Sequence, residues 1–357
     1  MSSRRRSWRR LAVLCAVIAA TVAVTPPARA ATPVTANSSA GVNSLAGARF
    51  FVMPGNPAQR AAATTRAYSS TLNQIAAQPT AYWIVPQKPD YLNQRYVNAI
   101  QTAATAAGQV PVFTLYAITN RDCGSYSSGG EPNAGAYRSL VNYVRAGIAG
   151  RRAVVIVEPD AIVAAPTCLD SGQMMERAAL LRYAANTLSR PGTSVYLDAG
   201  NWNSKGTPQQ SLAYLMYALP YVGIDKVAGF ALDTSGVLTT KDEQAFGDRV
   251  SARLAAAGMP GKHYVIDTSR NGNGPGPNTG GFCNLPGLAL GANPTSVTRH
   301  PLNDAFLWVK YPGESDGACS GNGTPDASAP PSGVFWPAYA MRLVNNRAAL
   351  LSGAPVR

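Results

Sequence analysis

The acidic residues of this chain are few and unevenly placed. There are 18 Asp and Glu residues, and at least eight follow short apolar runs. Val110–Ile118 leads into Asn120-Arg121-Asp122, and Ala153–Val157 into Glu158-Pro159-Asp160. Ser194–Leu197 ends at Asp198, Val227–Leu232 at Asp233 and His263–Ile266 at Asp267. Ala305–Val309 leads through Lys310 to Glu314 and Asp316. Any one such acid is adequately explained as a helix cap or an ion-pair partner. A whole set crowded at one rim repels itself, which raises some of the pKa values. Carboxyls whose pKa values are driven apart can serve as acid and base at one pH. Only two histidines exist, His263 and His300, which excludes a multi-histidine metal site. A Ser-His-Asp triad would have to use one of these two, and no G-x-S-x-G occurs. The glycine-rich stretch Asn271–Gly276 lacks the G-K-[ST] ending and following helix of a phosphate loop, so it reads as a tight turn. Paired acids without histidine, and with nothing that calls for a metal or cofactor, point to hydrolysis of glycosidic bonds. Trp83, Tyr116, Trp202 and Phe282 stand beside these segments and offer flat faces on which sugar rings stack. Taken singly, each is as well explained by core or rim packing.

The acids need a frame that brings them together. Eight short apolar runs recur: the six above, with Ala48–Met53 and Ala81–Val85 before them. Helical patterns lie between most of them, at Tyr91–Ala107, Ala134–Ile148, Met174–Leu188, Gln209–Leu219 and Lys241–Ala257. Strands alternating with helices imply parallel β/α units. Seven or eight units within about 300 residues imply an α/β barrel of the triosephosphate-isomerase kind, whose functional face lies at the C-terminal strand ends.

Composition sets the remaining bounds. With 357 residues, 46% of them hydrophobic and 14% charged, the chain can bury a large core and is not disordered. Residues 1–30 combine five early arginines, an apolar run Leu11–Val24 and the Ala28-Arg29-Ala30 ending of a secretory signal peptide. Cleavage there would remove six arginines and no acids, taking the net charge from +13 to +7. The remaining basic residues form no block, so nucleic acid is not an expected partner. Neither is a membrane after cleavage. Residues 31–45 read as a flexible tail and 46–357 as one catalytic domain, acting as a secreted, extracellular monomer. Cys15 falls in the leader, leaving Cys123, Cys168, Cys283 and Cys319. An even count in an exported protein reads as two disulfides, with three possible pairings.

Several segments together resemble glycoside hydrolase family 6, the inverting endoglucanases and cellobiohydrolases. They are Tyr116 with Asn120–Gly124, Ser127–Gly130, Ala136–Arg138, Val157–Asp160, Asp198–Gly200, Ile266–Gly274, Asp304–Lys310 and Pro312–Gly317. They run in the family's order across about 45 to 345. The resemblance implies a distorted barrel of seven parallel strands, with one of the eight runs outside the sheet. It implies β-1,4-glucan as the substrate and Asp160 as the general acid. Asp122 would raise the pKa of that acid and help to activate water, with Tyr116 beside the sugar at the cleavage point and Ser128 positioning the water. Asp316 would stand at the proposed base position, and Asp198 would be a supporting acid. Trp83, Lys310 and Glu314 would grip the sugar on the non-reducing side. The implied disulfides are Cys123–Cys168 and Cys283–Cys319.

The chain departs from the family where the substrate lies. Asn201 replaces a histidine after Asp-Ala-Gly, and Trp202 is the candidate for a tryptophan the family carries a few positions on. Asp233 stands for an asparagine and Phe282 for a tryptophan, and an arginine near Leu288 is missing. The 35 residues between Cys283 and Cys319 match the family's open-cleft, endo-acting end. These substitutions keep two alternatives in view: a hydrolase retuned to another β-glucan, and a polysaccharide-binding protein without turnover.

Overall fold

In the computed structural model, the described residues are 43–276, 283–319 and 328–356. The leader 1–30, most of the tail 31–45 and Phe282 lie outside them. The frame is one sheet of seven parallel strands in sequential order. These are β1 (Tyr82–Ile84), β2 (Val112–Leu115), β3 (Ala153–Val157), β4 (Thr193–Asp198), β5 (Gly229–Leu232), β6 (His263–Asp267) and β7 (Asn303–Leu307). The sheet curls so that its two edges meet without forming a ladder. Ala81 N–H donates to Trp308 O at 2.9 Å, and Trp83 Nε1 to Val309 O at 2.8 Å. The eighth run, Ala48–Met53, lies outside the sheet and makes a single parallel bridge, Phe50 to Val110.

The strands are largely apolar because both faces are covered. Side chains alternate between the faces with a period of two. Val112, Val154, Ile156, Tyr196, Ala231, Val265, Ala305 and Leu307 form an inner cluster, and Trp83 packs against it. Phe113, Leu115, Val155, Val157, Val195, Leu197, Phe230, Leu232 and Ile266 face outward to the helices. Asp198 and Asp267 end β4 and β6 on the inward parity, continuing from Tyr196 and Val265. Strand register therefore aims these two carboxyls at the barrel mouth.

Nine α-helices are present among the described residues: α1 (Pro57–Thr64), α2 (Ser69–Ala76), α3 (Tyr91–Ala106), α4 (Ala134–Ile148), α5 (Ala165–Cys168), α6 (Ser171–Leu188), α7 (Pro208–Val222), α8 (Thr240–Ala256) and α9 (Pro337–Ser352). α3, α4, α6, α7 and α8 pack side by side outside the sheet. Their starts are defined by caps: Asn133 for α4, an Asp170–Gln173 capping box for α6, Thr207 for α7 and Thr239 for α8. A third apolar cluster joins α1, α2 and α9 to Trp308 and Tyr311, just beyond β7. No helix of the described residues is long and apolar enough to cross a membrane.

Candidate active site

The chain leaves β2 through Tyr116 and turns sharply. The buried Glu158 carboxylate, at the end of β3, accepts from Ala117 N–H at 3.1 and 3.0 Å and from Ile118 N–H at 3.0 Å. Asn120, Asp122 and Cys123 then adopt left-handed φ values of 49°, 56° and 49°. Such conformations strain non-glycine residues and persist only where surrounding contacts impose them. Here Arg121 supplies many of those contacts. Its guanidinium donates to Tyr116 O at 2.8 Å, Ser127 O at 2.8 Å and Ser128 O at 2.9 Å, and lies 4.5 Å from the centre of the Tyr116 ring. The loop 121–129 therefore folds around one arginine. Asp122 accepts from Ser127 N–H at 2.8 Å, and Ser128 is exposed beside the Arg121–Gly129 bridge that closes the loop.

Asp160 follows β3 with φ 66°, and its N–H donates to Asp198 Oδ1 at 3.1 Å. Gly200 N–H donates to the same oxygen at 3.2 Å. The Asp160 carboxyl is pushed up to about 7, first by burial among protein and then by the like charges of Asp198 and Asp122. Asp160 is exposed to solvent, so burial does less there than in a sealed site, while both neighbouring acids push the same way. Asp198 is buried and pushed up to about 6 by burial, against hydrogen bonds that favour its charged form. Burial also raises Asp122, opposed by the Ser127 N–H and by Arg121. The Tyr116 hydroxyl is raised by burial and by Asp160 and Asp122. Asp122, Asp160, Asp198 and Tyr116 thus share one electrostatic neighbourhood, with Trp83 edge-on to Tyr116 at 5.0 Å.

Asp316 has the opposite surroundings. Arg270 Nη1 donates to its Oδ2 at 2.6 Å, Lys310 Nζ to Oδ1 at 2.8 Å and Asn284 N–H to Oδ2 at 2.9 Å. Burial works against its charge, but Arg270 and Lys310 overcome it and hold the carboxyl far below the usual range. Glu314, beside Lys310, is pushed up to about 7 by burial, with Lys310 opposing and Asp316 adding to the rise. Asp267 accepts from Ser235, Ser269, Val309 and Lys310 N–H, so it fixes the loops that carry Arg270 and Lys310. Among the described residues no group of three or more His, Cys, Asp or Glu is placed to hold a metal ion.

The family model for glycosyl hydrolases family 6 matches residues 46–347. The chain belongs to glycosyl hydrolases family 6. Endoglucanase A of Cellulomonas fimi is 40% identical over 300 residues, which is 83% of this chain and 61% of that protein. Endoglucanase 1 of Streptomyces halstedii is 35% identical over 350 residues, 94% of this chain and 97% of the relative. Among solved structures, the Mycobacterium tuberculosis endoglucanase Cel6, bound to methyl-cellobiosyl-4-deoxy-4-thio-β-D-cellobioside, aligns with a TM-score of 0.78. It is 40% identical, and the match covers 86% of this chain and 99% of that one. The chain spans only 61% of the Cellulomonas fimi protein and 66% of Endoglucanase A from Thermobispora bispora.

Placed on this family 6 fold, not every residue expected at the site arrives there. Asp122, Asp160, Asp198 and Tyr116 form one group, with Trp83 beside it. Lys310, Glu314 and Asp316 form another. Trp202 is half-buried: its ring packs against the apolar layer between sheet and helices, and its backbone N–H donates to buried Glu243 at 3.1 Å. Asn201 is engaged in a turn with Ser204, whose hydroxyl donates to Asn201 Oδ1 at 2.8 Å. Asp233 is a correction. It is 1% exposed and accepts from Leu238 N–H at 3.0 Å, so it holds a turn rather than reaching a sugar. Asp316, expected at the base position, is held between Arg270 and Lys310. The two disulfides join Cys123 to Cys168 and Cys283 to Cys319, the pairings implied by the resemblance. Glu158, Arg177, Glu243 and Arg270 are placed around the site without having been assigned a role from the sequence. Of these, Glu158 and Arg270 lie inside quoted motifs, whereas Arg177 and Glu243 lie on helices with nothing local to mark them.

Proposed function

We propose that the protein hydrolyses β-1,4-glucan chains with inversion, Asp160 protonating the departing glycosidic oxygen. The observation that carries this reading is the grouping of a solvent-reachable Asp160 with Asp198, Asp122 and Tyr116 in a family 6 chain. A carboxyl of pKa near 7 retains its proton near neutrality and can deliver it as the bond breaks. Asp122 serves twice. Its charge helps to keep the proton on Asp160, and it draws a proton from the attacking water through a relay at the Ser128 loop. In an inverting enzyme the acid and the water-activating group must leave space for that water, typically about 6.5–9.5 Å between carboxyls. Asp316 is locked between two cations and acts as their fixed counter-ion, orienting Lys310 beside Glu314. Trp83, Lys310 and Glu314 hold the sugar on the non-reducing side. The names of the relatives support endo action, and the short segment between Cys283 and Cys319 fits it. The leader-like first 30 residues and two disulfides support secretion.

The test is reducing-sugar release from carboxymethyl-cellulose, mixed-linkage β-glucan and xylan, with Asp160→Asn as control. The anomer first released is read by NMR, and viscosity loss is followed against new reducing ends. Release that disappears in the control, with an α-anomer product and rapid viscosity loss, is the expected result. Binding without release from any glucan would overturn the hydrolase reading in favour of a polysaccharide binder.

A further inference from the structure

The two loops that carry the acids are tied by one buried side chain. Arg177 comes from the second turn of α6 and is 4% exposed. Its Nη2 donates to Thr119 O at 2.6 Å and Asn120 O at 3.1 Å, and its Nη1 donates to Ala161 O at 3.2 Å. Thr119 and Asn120 immediately precede Arg121-Asp122, whereas Ala161 immediately follows Asp160. One planar guanidinium therefore spans the backbone on the near side of Asp122 and the far side of Asp160. A fork of fixed geometry sets the distance between the carbonyls it bridges, which a lysine ammonium, a single point donor, does not. The bridged segments hold left-handed residues, Asn120, Asp122 and Asp160, that need external contacts to stay in place. The Cys123–Cys168 disulfide ties the same two loops on the other side of Asp122, so they stay joined when the fork is removed.

We propose that Arg177 is a positioning residue that sets the separation of Asp122 and Asp160, and through it the protonation of Asp160. This deepens the hydrolase reading and rests on it. Arg177 bonds only backbone carbonyls, and its charge also favours the charged form of buried Glu158, so Arg177→Lys, which keeps the charge, separates the geometric effect from the electrostatic one. Misplacing a catalytic group by about an ångström lowers turnover by about 100-fold.

The experiment compares the parent protein with Arg177→Lys and Arg177→Met, both checked for folding and for an intact Cys123–Cys168 bridge. On a soluble glucan, the expected result is kcat lowered by about 10–100-fold with KM changed far less. Arg177→Lys should recover only part of the loss. The alkaline limb of the kcat/KM profile should move with the altered carboxyl spacing. A second readout needs no turnover: the Asp160 carboxyl is titrated by 13C NMR, assigned by its disappearance in Asp160→Asn. Its midpoint should move by about one pKa unit in Arg177→Met. Folded variants with parental kcat, KM and Asp160 midpoint would overturn the proposal. A parent that cleaves no glucan, with an Asp160 midpoint that still moves in the variants, would overturn the hydrolase reading alone.

Discussion

At the scale of single residues, the site is a contrast between acids with identical side chains. Asp160 faces two like charges that raise its pKa, whereas Asp316 faces Arg270 and Lys310, which hold its carboxyl below the usual range. Asp160→Asn should therefore lower kcat on unactivated glucan by about 100- to 10,000-fold, because the leaving oxygen has no proton donor. Substrates with strongly acidic leaving groups need no such donor and should be spared. Equal losses on both substrate classes, measured side by side, would remove Asp160 from the acid role. The same environment fixes the direction of the pH dependence. With Asp160 pushed up to about 7, kcat/KM should fall as pH rises through that value, since the deprotonated form cannot donate. Asp122→Asn removes one of the like charges, so the falling limb should move to lower pH. A limb that stays in place in that variant's pH profile would show that Asp122 does not bias the acid.

At the scale of elements, the positions of the acids depend on loops that tolerate little change. Gly130 closes the Asp122 loop with φ +92°, and a Cβ there would lie 1.8 Å from Ile118 O. Gly130→Ala should displace the loop, lower stability by about 1–3 kcal/mol and reduce kcat more than it raises KM. Thermal melts and steady-state kinetics would check both, and unchanged kcat would mean that the loop does not position Asp122. The disulfides act on the same loops: each should contribute about 2–4 kcal/mol, so a melting temperature unchanged after confirmed reduction would refute that role. The strands of this frame were readable from the chain because strands covered on both faces are continuous apolar runs, and the inward parity of Asp198 and Asp267 follows from the same pattern. The long helices between them were readable from their periodicity. What the sequence concealed was tertiary. Asp316 and Asp160 look alike until Arg270, 46 residues earlier in the chain, folds onto one of them. Trp202 follows Asp198 closely enough to suggest the cleft, and only the folded chain shows its ring half-buried against the layer between sheet and helices. Arg177 carries no local signal, since its hydrogen bonds go to backbone carbonyls of loops 57, 58 and 16 residues away.

Across the whole molecule, the concentration of acids that suits the cleft places a burden on the fold beneath it. Glu158 is pushed up to about 7, Asp198 to about 6 and Glu243 to about 8, in each case first by burial. Asp233 Oδ1 and Glu243 Oε2 are buried without a hydrogen-bond partner among the described residues. A carboxyl whose folded pKa exceeds its unfolded value of about 4 stabilises the native state below that value and loses the contribution as pH rises through the folded pKa. These groups should therefore lower stability progressively between about pH 4 and pH 8. Asp316 has the reverse sign: its depressed pKa supports the fold above about pH 4, and that support fades only in stronger acid. The melting temperature should accordingly peak in the mildly acidic range and decline toward pH 9. Glu243 offers the cleanest test because it is fully buried in the first turn of α8, where its one hydrogen bond accepts from Trp202 N–H. Glu243→Gln keeps an amide oxygen for that bond and removes the ionisation. At pH 5, where Glu243 is protonated in the native state, the variant should melt close to the parent. At pH 9, where the parent must bury an anion or protonate it, the variant should melt higher. A variant whose melting temperature falls with pH as steeply as the parent's would place the alkaline sensitivity elsewhere, with Glu158 and its tie to the β2 loop as the next group to substitute.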